Sequence, residues 1–200
     1  MSVGRPTSSP ELPNLWVISG PPGSGKTTYC QNLLLQVSPT WRVGGILSPG
    51  VVVHGEKVGI DAWDPRSTIR QRLATKNAVP TATATPHWHF DPQVLAWGNQ
   101  ILATAVPCDL LLIDEIGPLE LEQHQGWMAA LTALASRQYR VAVMTLRPRL
   151  LPWADRWGAT VIRLEGGLPQ PAAHHEHLRA RLRDAPGSVP LSAPGPPAPA

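Results

Sequence analysis

The residues Gly20-Pro21-Pro22-Gly23-Ser24-Gly25-Lys26-Thr27 fit the spacing G-x-x-x-x-G-K-[ST] and directly follow the apolar run Leu15-Trp16-Val17-Ile18. Glycines let a backbone curl until successive N–H groups face one anion, and a lysine at the end of the curl adds a point charge for the outer phosphates. The pattern predicts a phosphate-binding loop in which Thr27 offers its hydroxyl to Mg²⁺. Tyr29, Leu33, Leu34 and Val37 then recur at helical spacing. A helix that starts at the loop would aim its positive end at the phosphates.

A second chemical pattern lies well downstream. Asp109-Leu110-Leu111-Leu112-Ile113-Asp114-Glu115 is an apolar run ending in two carboxylates. At the carboxyl end of a buried strand, Asp114 is placed to hold Mg²⁺ through a water, and Glu115 to polarise a water for attack on the γ-phosphate. That pair favours hydrolysis over transfer to an acceptor; the plain alternative is two acidic residues ending a strand. A separate strand ends in Met144-Thr145. Thr145 is the candidate for touching the attacking water or the γ-phosphate, although a β-branched residue also simply suits a strand. Charge on the γ-phosphate invites an arginine, and Arg66, Arg70, Arg72, Arg147 and Arg149 all stand near these segments without one being singled out. His87 and His89, and the cluster His174, His175 and His177, could each contact a metal, but the second set has only Glu176 as an acidic companion and reads as surface histidines. Trp41, Trp88 and Trp97 could stack a base, but packing is the commoner use of an indole.

These groups need a scaffold that brings strand ends together. Strand-like runs at Trp41 to Leu47, Leu110 to Ile113, Arg140 to Thr145 and Ala159 to Leu164 alternate with helical patterns at Pro92 to Ala105, Gln123 to Ser136 and Leu151 to Trp157. A further helix is expected around Ile69 to Ala74. Val51 to His54 and Val58 to Trp63 flank Gly55-Glu56 and predict a hairpin. The expected fold class is α/β: a mostly parallel sheet covered by helices on both faces, with a small antiparallel hairpin insert. Residues 1–13 read as a leader, 14–167 as the phosphate-loop domain, and 168–200 as a short helix at Ala172 to Asp184 followed by a Pro/Ala-rich disordered tail.

The chain has 200 residues, 42% of them hydrophobic, enough for one domain with a real core. Its 17 basic and 14 acidic residues leave a net charge of +3 with no basic block, so nucleic-acid binding is not expected. Cys30 and Cys108 read as small buried hydrophobes, which suits a reducing, cytoplasmic setting. No run of about 18 apolar residues occurs, so no membrane span is expected. The tail leaves a protein partner open.

Taken in order, Gly20 to Thr28, Gly44-Gly45-Ile46-Leu47, Gly55 to Asp61 and Ile113-Asp114-Glu115-Ile116-Gly117-Pro118-Leu119-Glu120-Leu121 resemble the cancer-related nucleoside-triphosphatase family. The resemblance implies a RecA-like P-loop domain that hydrolyses ATP, GTP and other nucleoside triphosphates, with Mg²⁺, to diphosphate and phosphate. It implies that Gly20 through Thr28 contact the nucleotide, together with the segment Leu111, Leu112, Ile113, Asp114, Glu115, Ile116 and Gly117. Thr27 and Asp114 are then the metal residues, and Lys26, Glu115 and Thr145 the catalytic ones. The sequence lacks an [NT]-K-x-D guanine-reading motif, in keeping with broad base tolerance. Two departures stand out: Ser48-Pro49-Gly50 follows Leu47 where the family has a Thr-x-Glu pattern, and Lys57 replaces the usual hairpin arginine. Two alternatives stay open, a nucleotide or nucleoside kinase and a nucleotide-gated binding module with slow hydrolysis.

Overall fold

The computed structural model describes residues 14–37, 39–76, 84–85, 88–165 and 168–183. In chain order the elements are β1 (Leu15–Ser19), α1 (Lys26–Leu34), β2 (Val43–Ile46), β3 (Gly50–Val53), β4 (Glu56–Trp63), β5 (Arg70–Lys76), β6 (Ala84–Thr85), β7 (Trp88–Phe90), α2 (Pro92–Ala103) and β8 (Cys108–Ile116). They continue with α3 (Pro118–Leu121), α4 (Met128–Ser136), β9 (Tyr139–Leu146), α5 (Leu151–Arg156), β10 (Thr160–Glu165), β11 (Leu168–Gln170) and α6 (Ala172–Arg183).

Six strands form one sheet in the order β11-β10-β1-β9-β8-β2. All neighbours pair in parallel except the edge strand β11, which runs antiparallel to β10. The apolar runs sort residue by residue between two cores, because successive side chains on a strand point to opposite faces. Leu15, Val17, Leu111, Ile113, Ala142 and Met144 pack on one face with Val94, Leu102, Trp127 and Leu134 from α2 and α4 and the segment before α4. Trp16, Ile18, Leu110, Leu112, Val141 and Val143 pack on the other with Cys30, Leu33, Leu178 and Leu182 from α1 and α6. Strands buried on both faces read as continuous apolar stretches, which is why these were plain in the sequence.

The insert between β2 and α2 is larger than a hairpin: five strands in the order β3-β4-β5-β7-β6. The segment expected as a helix around Ile69 to Ala74 is strand β5, paired antiparallel with β4 (Ala74 opposite Ile60, Arg72 opposite Asp61) and with β7. Arg, Gln, Leu and Ala all favour a helix locally, but cross-strand pairing and a 2.6 Å Arg72–Asp61 ion pair settle the segment as strand. The insert is joined to the main sheet by reciprocal backbone hydrogen bonds between Leu47 and Trp63.

The helix expected from Gln123 begins only at Met128, and α3 stands apart before it. Glu120 explains the break: its carboxylate accepts the Gly117 N–H and the Trp127 N–H, both at 2.9 Å, and folds the intervening chain into a corner. Residues 1–13, His87 and the tail from 184 lie outside the described residues. No described helix is long and apolar enough to cross a membrane.

Candidate active site

The chemistry-bearing residues meet at the carboxyl ends of β1, β9 and β8, where open parallel sheets place their ligands. The loop after β1 turns through Gly23 and Gly25, whose φ angles of 79° and 87° suit glycine, and Ser24 N donates to Pro21 O at 3.1 Å. Helix α1 starts at Lys26. The Lys26 side chain curls back over the loop, its ammonium donating to Gly20 O at 2.9 Å and Pro21 O at 3.2 Å, while the residue as a whole is 8% exposed. Pro21, Pro22, Gly23 and Thr28 are exposed, and Gly25 and Thr27 half-buried. The buried Ser24 hydroxyl, packed against Gly20, has no hydrogen-bond partner among the described residues.

At the end of β8 the pairing with β9 slips between Ile113 and Ile116, so Asp114 and Glu115 come out of the regular ladder. Asp114 is 2% exposed and held at both carboxylate oxygens: Thr145 Oγ1 donates to Oδ1 at 2.8 Å and Ser48 N to Oδ2 at 3.1 Å. The Ser48 hydroxyl also donates to the Asp114 carbonyl. The Thr145 hydroxyl is thereby tied to the carboxylate at the end of β8. Its location follows from the register, which puts Thr145 beside Ile18 of β1 and Met144 beside Ile113 of β8. Leu111, Leu112, Ile113 and Ile116 are fully buried in the two cores, so their side chains position the site rather than line it. Gly117 donates its N–H to Glu120 and starts α3.

Glu115 Oε1 accepts a hydrogen bond from Arg147 Nε at 3.0 Å. Of the arginines near the motifs, the others are occupied elsewhere: Arg66 bonds Asp64, Arg72 bonds Asp61, Arg70 lies over Trp63, and Arg149 pairs with Glu122. Lys57 of β4 reaches the same region from the insert. Burial lowers its ammonium from the ordinary 10.5, while the Glu115 and Asp114 carboxylates pull it back up. Its ammonium also sits 5.2 Å from the centre of the Trp88 ring.

Ser48 and Lys57 are the residues whose place in the site the sequence did not show. Both lay in segments that depart from the family pattern, but only the long-range folding of the insert against β8 brings them to Asp114 and Glu115. The histidines take other roles: His175 Nδ1 lies 2.7 Å from the Tyr29 hydroxyl, and His174 and His177 set their rings edgewise against Trp16. Trp41 and Trp97 pack on the cores.

A parallel sheet with a phosphate loop after β1 and an acidic pair closing β8, one strand removed, defines a P-loop nucleotide-binding domain. A family model described as NTPase matches residues 16–161, and the chain belongs to that family. Among similar proteins is the nucleoside-triphosphatase THEP1 of Methanopyrus kandleri, 29% identical over 116 residues that cover 56% of this chain and 63% of that one. Another is the nucleoside-triphosphatase THEP1 of Ignicoccus hospitalis, 30% identical over 133 residues, 66% of this chain and 75% of that one. The solution structure of a human cancer-related nucleoside triphosphatase shares the fold, with a TM-score of 0.59, 21% identity, and coverage of 84% of this chain and 94% of that one.

Proposed function

We propose that this protein is a Mg²⁺-dependent nucleoside-triphosphatase that converts ATP, GTP and other nucleoside triphosphates to diphosphate and phosphate. The observation that carries the reading is the acidic pair at the end of β8, with Asp114 clamped by Thr145 and Ser48 and Glu115 beside it. The backbone amides of Gly20 to Thr27 and the Lys26 ammonium hold the phosphates; Lys26 exchanges its loop carbonyls for phosphate oxygens. β1 and β8 lie two strand spacings apart, about 10 Å, which leaves room for a γ-phosphate between loop and carboxylates.

Thr27 and Asp114 offer hard oxygen donors, and no cluster of three or more His, Cys, Asp or Glu able to hold a metal occurs among the described residues. Such a sparse oxygen set fits an ion that brings most of its ligands as waters and phosphate oxygens, as Mg²⁺ does. When bound, Mg²⁺ neutralises the charge that develops on the β- and γ-phosphates. Glu115 takes a proton from a water whose oxygen attacks the γ-phosphorus, and the bond from that phosphorus to the bridging oxygen breaks toward the diphosphate. The absence of a guanine-reading motif supports tolerance of several bases.

The test is phosphate release from ATP, GTP, CTP and UTP, with Mg²⁺ or with EDTA, and with and without a panel of nucleosides. The reading expects acceptor-independent release of phosphate from several triphosphates in Mg²⁺ alone. Labelled phosphate appearing on a nucleoside, with no free phosphate in its absence, would make the protein a kinase instead.

A further inference from the structure

Strand β9 lies between the strand that carries the phosphate loop and the strand that ends in the acidic pair. Thr145 near its end and Arg147 just past it, at i and i+2, touch that pair in turn: Thr145 bonds Asp114 and Arg147 bonds Glu115. The register sets Leu146 opposite Ser19, so Arg147 emerges level with Gly20, where the phosphate loop begins. Arg147 therefore leaves the sheet between the strand of the loop and the strand of the acidic pair, with its guanidinium turned to Glu115.

The Arg147 contact to Glu115 uses only Nε–H, and the terminal guanidinium nitrogens bond none of the described residues. The side chain remains 48% exposed while its partner is 28% exposed, so the fork is held at its base and open at its tip. Charge points the same way. The charges of Lys26, Arg147, Asp114 and Glu115 all act on the Lys57 ammonium, so three cations gather beside the acidic pair. A planar fork with spare N–H groups matches a phosphoryl group better than an ammonium does.

We propose that Arg147 is a further catalytic residue of this site, a cis-acting arginine that grips the γ-phosphate with its terminal nitrogens while its Nε–H orients Glu115. It rests on the hydrolytic reading above. One side chain would then couple the position of the base to the presence of the group under attack. Because a diphosphate lacks that group, Arg147 also distinguishes triphosphate from diphosphate.

The experiment compares wild-type protein with R147A and R147K, measuring Kd for ADP and for a non-hydrolysable ATP analogue together with kcat and KM for ATP. In R147A the analogue should weaken about 10-fold or more while ADP binding holds, and kcat should fall on the order of 10²–10³-fold, the usual cost of losing one donor to transition-state charge. R147K should regain part of the analogue affinity, since an ammonium still meets phosphate, but little of kcat, since it lacks the Nε that holds Glu115. An unchanged ratio of analogue to ADP affinity in R147A overturns the proposal, whatever the turnover. That ratio is a binding measurement, so it judges Arg147 even if an E115Q variant turns over normally and the hydrolytic reading falls.

Discussion

At the scale of single residues, the site depends on how firmly a buried carboxylate is held. Asp114 is a nearly inaccessible anion, and a buried charge is tolerated only when each oxygen is satisfied. Thr145, itself fully buried, supplies one of those bonds and Ser48 the other. Replacing Thr145 by Val keeps the β-branched shape and removes only the donor. We expect T145V to lose about 1–3 kcal/mol of stability in urea unfolding, the cost of stranding one buried acceptor, and roughly 10-fold in turnover. A T145V variant equal to wild type in both measurements would show that this hydrogen bond contributes nothing.

Glu120 makes a useful contrast. It sits in the acidic signature, yet it bonds two backbone amides at a corner, and burial raises its carboxyl above the ordinary 4.5 despite those bonds. It builds the turn behind the site and carries no chemistry of its own.

At the scale of elements, the strand that delivers Ser48 is the delicate one. β2 pairs with β8 through Val43 to Ile46 and then runs directly to Ser48. Gly45 has φ 115°, and a Cβ added there would run into the carbonyl of Leu112 on the neighbouring strand. The backbone approach that seats Ser48 over Asp114 thus requires a glycine. G45A should cost at least about 2 kcal/mol, from left-handed strain plus forced separation of the strands, and should lower turnover with it. Urea midpoints checked against wild type decide this; a variant of unchanged midpoint would mean that β2 shifts freely.

The elements also show what the chain reveals locally. β1, β8 and β9 were legible because each holds a continuous apolar run, β10 because Ile162 and Leu164 alternate with polar residues, and the phosphate loop because its glycines and lysine are contiguous. β5 was not, since Arg70 to Lys76 becomes a strand only through partners on β4 and β7. The same holds for the clamp on Asp114 and for the Arg147–Glu115 pair, because strand order and register do not show in spacing along the chain.

At the scale of the whole molecule, two parts converge on one end of the main sheet and a third supports them from a face. The parallel strands bring the phosphate loop, Thr145 and the acidic pair. The antiparallel insert is tied to β2 by Leu47 and Trp63 and leans Lys57 toward the same carboxylates. α6 buries Leu178 and Leu182 beside Cys30 and Leu33 of α1, and its Arg179 bonds Gln36 at 2.5 Å, so the helix that starts at Lys26 is braced from behind. The arrangement predicts that nucleotide binding and water activation are separable, because the loop and Glu115 belong to different strands. E115Q separates them most directly: Kd for a non-hydrolysable ATP analogue measured beside phosphate release under saturating Mg-ATP. The expected result is affinity within about 3-fold of wild type and turnover lower by on the order of 10²–10⁴-fold, the range of a lost general base. E115Q releasing phosphate at the wild-type rate would contradict hydrolysis by this acidic pair.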